Sequence, residues 1–543
     1  MDFDAIVIGS GFGGAVAACR LTQAGFRVCV LERGRRYTPG NFPRDFSRLI
    51  GGGWIYRDAQ GLFDLKPVSP DLFAFQGAGW GGGSLVYANT IIRPPADTFE
   101  TGWPSGMTLE SLAPYYDLVD YMLDAKPCSD ESPLGVPPKT RAFEKAAAKL
   151  GRGDQVFRPR LAIDFGTPDE EHENRFGFTQ RGCTHCGECS AGCNVGAKNT
   201  LDHNYLAIAE RNGAAARTRC EAMNIEPIQG TGPGAGSGGY RVEYLDHTTS
   251  QTNTLTAKYV FVCAGAINST ELLLRSRDVF KTLDRLSPRL GTGYSGNGDL
   301  LAFAFHTDDQ IDVTRGPTIT TALVYDRVEQ GRKAFFLVED GAVPVPLAHL
   351  LTVLDPARGF LKSAGDLLWG DVHDAIRAAA RNELGDAQAT SLPPLDKRFA
   401  IFLIMGRELA DGVIGLAPIL NRALVSWDVS NKLPLATTQA RLVRDLARAM
   451  GGEVVVNPLW HRLHQPLTCH NIGGCPMSEH PDDGVTSPIG EVHGHPNLFV
   501  VDSAILPGSV GINPAATIAA VAERCLERII RRERRGPRWR APE

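Results

Sequence analysis

Asp4-Ala-Ile-Val-Ile-Gly9-Ser-Gly11-Phe-Gly-Gly14-Ala-Val-Ala-Ala-Cys-Arg20-Leu-Thr-Gln-Ala24-Gly25, followed by Val28-Cys-Val-Leu31-Glu32, is the stretch on which the fold turns. The apolar run from Ala5 to Ile8 predicts a strand. An alanine-rich helix is predicted over about Gly14 to Ala24, with Gly25 as its stop, and a second strand over Val28 to Leu31. Between strand and helix, Gly9, Gly11 and Gly14 fit G-x-G-x-x-G, and Glu32 lies 21 positions after Gly11. The first glycine permits a tight turn, the second lets a pyrophosphate reach the backbone, and the third lets helix and strand pack closely, with the phosphate at the helix N-terminus. Glu32 is placed to accept from a ribose 2′-hydroxyl, which disfavours a nucleotide phosphorylated there. An ADP-containing cofactor is expected; the turn alone does not separate FAD from NAD.

Composition narrows the setting. The chain has 543 residues, 56 Lys and Arg against 61 Asp and Glu, and a net charge of −5, which argues against a nucleic-acid partner. Hydrophobic residues are 43% and charged residues 22%, values of a globular protein with ample length for more than one domain. No window holds 18 uninterrupted apolar residues, and Met1-Asp2-Phe3-Asp4 lacks a basic region leading into an apolar one, so a cytoplasmic location is expected. Glycine is in excess, 59 of 543, and clustered, notably in Gly77-Ala-Gly-Trp-Gly81-Gly82-Gly83-Ser84.

Further along, Val260-Phe-Val-Cys-Ala264-Gly265 predicts a buried strand, with Ser269 read as the cap of a helix running to about Arg275. Phe399 to Met405 and Val454 to Val456 predict strands of a second sheet, and helical periodicity appears over 373–383 and 438–450. Residues 343–370 lack a period and suit a lid or exposed loop. The arginines after Arg531 are read as a solvated, frayed end, with membrane or anion contact as the competing reading.

Three segments carry a resemblance: Gly77 to Asn89, Ala264 to Leu273, and the stretch from Cys469-His470-Asn-Ile-Gly-Gly474 through Asp502 to Asn513-Pro514-Ala-Ala-Thr517. Together with the first turn they resemble the glucose-methanol-choline (GMC) oxidoreductases, and within that family the cholesterol oxidases with non-covalent FAD. The resemblance implies an α/β fold: a discontinuous Rossmann-like FAD-binding domain (1–100, 195–300 and 465–532) and a substrate-binding domain on a large, mostly antiparallel sheet (101–174 and 301–464). A cysteine-rich segment (175–200) and a basic tail (533–543) complete the division. FAD would contact Gly9, Gly11, Gly14, Glu32, Gly81, Gly82, Gly83, Ser84, Asn89, Ala264, Gly265, Asp502 and Pro514. Tyr87-Ala-Asn89 departs from the family pattern, in which Asn comes earlier.

Oxidising an alcohol moves a proton from oxygen and a hydride from carbon, so a base is needed beside the flavin. The resemblance assigns this to His470, with Asn513 as the second hydrogen-bonding position; a histidine of ordinary pKa, about 6.5, is suited to it. A length-preserving comparison places Asp396 near the carboxylate with which cholesterol oxidases shift a steroid double bond, the alternative being a surface Asp beside Lys397 and Arg398.

Cys183-Thr-His-Cys186-Gly-Glu-Cys189-Ser-Ala-Gly-Cys193 is C-x₂-C-x₂-C-x₃-C, the ligand run of bacterial iron–sulfur proteins. Asn194 stands where Pro is usual, and there is no second run. Zinc, metal-free thiols and local disulfides are the competing readings. The expected activity is oxidation of a bulky apolar secondary alcohol, such as a 3-hydroxysteroid, to a ketone, with electrons leaving through the cluster to an electron-acceptor protein. Peripheral membrane contact would give access to an apolar substrate. A sugar or polyol dehydrogenase, an oxygen-using sterol oxidase with a metal-free box, and an electron-transfer subunit without its own substrate remain alternatives.

Overall fold

Strand Phe3–Ile8 lies inside a seven-stranded sheet, parallel to Val28–Glu32 on one side and to the far half of Gln251–Val262 on the other. The computed structural model describes all residues except 45–52, 58, 70–71, 230–236, 330, 352–394, 457–466 and 535–543. Ala215–Thr218 adds a parallel strand beyond Val28–Glu32, and Leu498–Val500 pairs in parallel with Val260 to Val262. The near half of Gln251–Val262 instead pairs antiparallel with Ser237–Asp246, which pairs with Cys220–Gln229. The run Ala5 to Ile8 is buried throughout, as strands covered on both faces require. Stretches hundreds of residues apart thus build one sheet, because each supplies an apolar strand that only the others can cover.

Helix Phe12–Gln23 crosses from the first strand to the second, and helix Ala515–Arg534 packs beside it, joined by the buried pair of Arg20 and Glu523 at 2.7 Å. Helix Leu109–Met122 also belongs to this core, its Tyr116 hydroxyl 2.9 Å from Thr517 Oγ1. The division drawn at residue 100 therefore does not coincide with a boundary between cores.

The second sheet has six strands, all antiparallel, in the order Glu453–Val456, Leu300–Phe305, Phe399–Gly406, Arg332–Asp340, Ala322–Glu329, Val156–Phe157. Helices Pro138–Lys149 and Leu433–Ala449 contribute the apolar residues that cover it. Two sequence expectations change. Ser269 lies within helix Ala266–Asp278, whose N-cap is Gly265, so it is not the cap. Arg531 to Arg534 continue the C-terminal helix, with Arg531 paired to Glu527 and Arg532 to Glu491; they are not frayed. The helix expected over 373–383 and most of the segment 343–370 fall outside the described residues. Among the described residues no helix is long and apolar enough to cross a membrane.

The glycine turn is locked by contact. A Cβ on Gly13 would stand 1.7 Å from the Val501 carbonyl oxygen, and one on Gly14 2.0 Å from that of Gly9, whereas one on Gly11 meets nothing within 4 Å. Gly13→Ala should therefore lower stability by about 1–3 kcal/mol or more, while Gly11→Ala leaves it near wild type; urea unfolding of the two variants checks this contrast.

Candidate active site

A cavity of about 730 Å³ runs from the glycine turn to the second sheet, at the upper part of the range for small-molecule sites. Its nucleotide end is lined by Gly9, Gly11, Glu32, Gly82 and Gly83, then by Ala264 and Gly265, and by Asp502, Asn513 and Pro514. Added Cβ atoms at Gly11 and Gly83 would meet nothing within 4 Å, so backbone is open to a ligand there. Gly82 lies against the first turn, its Cβ position 2.6 Å from Gly11 Cα. Glu32 is held by the Ser10 amide at 3.1 Å, the Ser10 hydroxyl at 2.6 Å and the Gly34 amide at 2.8 Å. Asp502 accepts from the Gly265 amide at 2.8 Å and the Ser269 hydroxyl at 2.5 Å, tying the third segment to the start of helix Ala266–Asp278. The donor set and the open glycines fit an ADP moiety.

Four expected contacts do not line this cavity: Gly14, which packs against the Gly9 carbonyl, and Gly81, Ser84 and Asn89. Ser84 is fully buried and turned away, donating to the Gly81 carbonyl at 2.7 Å and accepting from the Leu201 amide at 3.1 Å. Gly81 is the left-handed residue that makes this turn (φ 112°), and Gly82 and Gly83 beside it line the cavity. Asn89 is fully buried with φ 66°, and neither amide atom has a partner. Ala88 and Thr90 line the cavity on either side of it.

At the other end, His470 follows the short strand Leu467–Thr468, which pairs with Leu72–Gly77. Its Nδ1 lies 2.7 Å from Asp299 Oδ1. A carboxylate only accepts, so Nδ1 carries the hydrogen, and once the ring gives up its second proton Nε2 is the acceptor. Asp299 Oδ2 receives the Thr468 hydroxyl at 3.1 Å and the amides of Cys469 and His470 at 2.9 and 3.2 Å. Burial opposes a charged imidazole, but the Asp299 carboxylate and the Cys469 sulfur outweigh it and hold His470 well above its ordinary value. Two residues before Asp299, Asn297 accepts the Ser509 hydroxyl and the amides of Val510 and Gly511, and donates to the Ile512 carbonyl at 2.7 Å. One short segment thus orients His470 and fixes the loop that presents Asn513.

Asn513 donates through Nδ2 to Glu339 Oε2 at 3.3 Å, and its Oδ1 has no partner. Glu339, on strand Arg332–Asp340, is fully buried and its Oε1 is likewise unpartnered. Burial pushes its acid up to about 8, against the hydrogen bond from Asn513 and the nearby His470. Thr318 Oγ1 and Asn471 Nδ2, also in the lining, are buried without partners. Beyond this polar cluster the walls are Leu300, Phe303, Ile319, Val343, Ile401 and Met405.

Asp396 does not reach the cavity. It lies in the loop before strand Phe399–Gly406, where it accepts from the Arg398 amide at 2.9 Å and guanidinium at 3.3 Å. Counting along the chain cannot follow a sheet whose neighbours are far apart in sequence; the carboxyl group beside Asn513 is Glu339. Asp299, Asn297 and Glu339 were the residues missed. The glycine-bracketed Gly293-Tyr-Ser-Gly-Asn297-Gly-Asp299 is the signal that marks the first two.

Cys183, Cys186, Cys189 and Cys193 line one small enclosed cavity of about 10 Å³, room for about one water. All four thiols are free, so the disulfide reading is not realised here. Among the described residues the one trio of His, Cys, Asp or Glu ligand atoms within 4.8 Å of one another is Asp299, Cys469 and His470. Tetrahedral zinc, with Zn–S bonds of about 2.3 Å, needs sulfurs about 3.8 Å apart, and the box does not present them. The His185 amide points at Cys183 Sγ from 3.5 Å. Burial and the neighbouring thiols push Cys183 well up and Cys186 to about 12, which keeps both as neutral thiols. Lys198 ties the box to the glycine-rich segment: its Nζ donates to the carbonyls of Leu85, Tyr87 and Cys189 at 2.8 to 2.9 Å, and burial brings it down to about 7 against the pull of Cys189 and Cys193. Ser190 and Ala191, next to Cys189, line the large cavity.

Family models described as GMC oxidoreductase match residues 3–277 and 429–522. A cholesterol oxidase of Acinetobacter baumannii is 29% identical, covering 97% of this chain and 94% of the relative. A 2-methyl-1,2-propanediol dehydrogenase of Mycolicibacterium austroafricanum is 26% identical, covering 97% and 95%. Among solved structures, pyridoxine 4-oxidase from Mesorbium loti aligns with a TM-score of 0.60 at 15% identity over 97% of this chain and 98% of that one, a likeness of fold.

The buried acid has a measurable consequence. Below about pH 4.5 Glu339 is neutral folded and unfolded; between there and about pH 8 the unfolded chain ionises while the folded one keeps its proton. Relative to Glu339→Gln, the wild type should lose stability as pH rises through that window, and the difference should level off above it. Urea midpoints of both proteins from pH 4.5 to 9 measure this, and a constant difference would refute it.

Proposed function

The chain belongs to the GMC oxidoreductase family, and from that premise we propose that it oxidises a bulky, mostly apolar secondary alcohol of the 3-hydroxysteroid class to the ketone. The observation that carries this reading is the division of the cavity: His470, Asn513 and Glu339 cluster at one point, and the walls beyond them are aliphatic and aromatic. Such a surface favours a large apolar body carrying one hydroxyl over a sugar, whose several hydroxyls would need polar partners along the walls. The similarity to cholesterol oxidases supports the same choice, whereas the propanediol dehydrogenase relative supports the polyol alternative.

Gly9 to Gly13, Glu32 and the Asp502 to Pro514 stretch would hold FAD, which would supply an acceptor for a hydride. His470 takes the hydroxyl proton at Nε2. Asn513 has one Nδ2 hydrogen on Glu339 and a second to donate to the alcohol oxygen. The apolar walls exclude water, which strengthens both contacts. Glu339, which lines the cavity beside Asn513, would take the role on the steroid's double bond that the sequence comparison gave to Asp396.

The four cysteines would hold an iron–sulfur cluster, which supplies a one-electron outlet toward an electron-acceptor protein. Support comes from the C-x₂-C-x₂-C-x₃-C spacing, the free thiols, the amide at Cys183, and the adjacency of Ser190 and Ala191 to the larger cavity.

Anaerobic mixing of the flavin-loaded protein with sterols, sugars and simple alcohols should bleach the flavin with sterols first; bleaching by sugars alone overturns the substrate class. His470→Ala should lower turnover at least about tenfold with flavin retained, and Asn513→Ala should act less severely. Anaerobically purified protein should contain iron and acid-labile sulfide and lose both on replacing Cys186 and Cys189 with Ser; their absence from the wild type rejects the cluster.

A further inference from the structure

The proposed base is itself held by a group to which neither the family match nor the motifs give a role. Asp299 sits where Gly298, in the left-handed region at φ 65° and with its Cβ position 2.4 Å from the Gly406 carbonyl oxygen, turns the chain into strand Leu300–Phe305. Its side chain is about 10% exposed, and both oxygens are used: Oδ1 on His470 Nδ1, Oδ2 on Thr468 Oγ1 and two amides. The carboxylate is fixed by backbone independently of the imidazole, so the imidazole conforms to it.

We propose that Asp299 is a positioning residue for the proton transfer, locking the His470 ring so that Nε2 faces the cavity as acceptor and stabilising the imidazolium formed there. The inference rests on the reading of His470 as the base. In the step, the substrate O–H bond breaks, the N–H bond forms at Nε2, the hydride pair leaves the carbinol carbon for the acceptor that bound FAD would supply, and Asp299 keeps its hydrogen bond to Nδ1 throughout. The anchoring matters because an untethered imidazole exchanges its two tautomers and rotates, and only one arrangement offers a lone pair to the substrate.

The titratable groups facing His470 are Asp299, Cys469 beside it, and Glu339 on strand Arg332–Asp340; Lys432 and Glu408, paired at 2.8 Å, lie behind Asp299. Of these, Asp299 alone hydrogen-bonds the ring through a carboxylate at 2.7 Å. Burial, the largest single influence, lowers the proton affinity of the imidazole, and Asp299 is the strongest of the groups that raise it, with Cys469 adding to it.

The test uses flavin-loaded wild type, Asp299→Asn, Asp299→Glu, His470→Ala and the Asp299→Asn/His470→Ala double variant. Flavin absorbance and circular dichroism establish that each is folded. Anaerobic reduction of the flavin by cholesterol, followed from pH 5 to 10, should be about 10–100-fold slower in Asp299→Asn. Its acid limb should lie at least about one pH unit lower, as expected when an adjacent opposite charge is removed. Asp299→Glu should restore part of the rate, and Asp299→Asn should cost nothing further in the His470→Ala background, since it acts through that ring. Independently of any substrate, the His470 imidazole in ¹⁵N-histidine-labelled holoprotein should titrate at lower pH in Asp299→Asn. An unchanged imidazole titration overturns the proposal, as does an equal further loss of rate in the double variant. If cholesterol fails to reduce the wild type, the substrate assignment falls, and the imidazole titration still decides the role of Asp299. Should Asp299→Asn not fold, Asp299→Ser, which also removes the carboxylate, decides by the same titration.

Discussion

The Asp299 carboxylate, gathering a hydroxyl, two amides and an imidazole N–H, is the interaction on which the geometry of this site depends. It joins a residue at the mouth of the antiparallel sheet to the segment that leaves the FAD-side strand Leu467–Thr468. Through Asn297, two positions earlier, the same turn captures the 509–512 loop. A carboxylate has acceptor capacity for several donors and no conformational alternatives once they are in place, so four short contacts convert a flexible junction into a rigid one. His470 and Asn513, 43 positions apart, are brought to one point by the three residues Asn297–Asp299, which belong to neither of their segments.

The larger design follows from burying strands on both faces. The parallel sheet cannot be covered by local sequence, so helices Phe12–Gln23 and Ala515–Arg534 from the two ends of the described chain pack side by side over it. This closes the nucleotide end and places Pro514 and the start of the last helix on the cavity wall, where the helix dipole favours negative charge. The cysteine box is set against this frame by Lys198, whose ammonium bridges carbonyls of the glycine-rich segment and of Cys189. A buried amine shared by the glycine-rich segment and the Cys189 carbonyl thus fixes the two cavities against each other.

The sequence was most legible where chemistry forces a local pattern. Gly9, Gly11 and Gly14 with Glu32, the clustered cysteines and the apolar runs at Val28, Val260 and Phe399 each state a backbone or packing requirement within a few residues. It was least legible where a side chain acts across the fold. Glu339 reads as an ordinary charged residue at the end of an apolar strand, and only its burial against Asn513 gives it a role. Asp396 looked suitable by count, but its neighbour Arg398 holds it outside the cavity. Ser84 looked like a phosphate contact, and instead caps its own turn from the inside.

By itself the sequence determined that a nucleotide-binding strand–turn–helix exists, that thiols with cluster spacing lie in one segment, and which stretches resemble GMC oxidoreductases. These are properties of neighbours along the chain, governed by backbone geometry and hydrophobic period. Which carboxylate meets which imidazole, which thiols face one cavity and which walls remain apolar were decided by tertiary structure alone. The reason is physical: a hydrogen bond or a desolvated acid depends on what packing brings within about 3 Å, and packing here joins residues hundreds of positions apart.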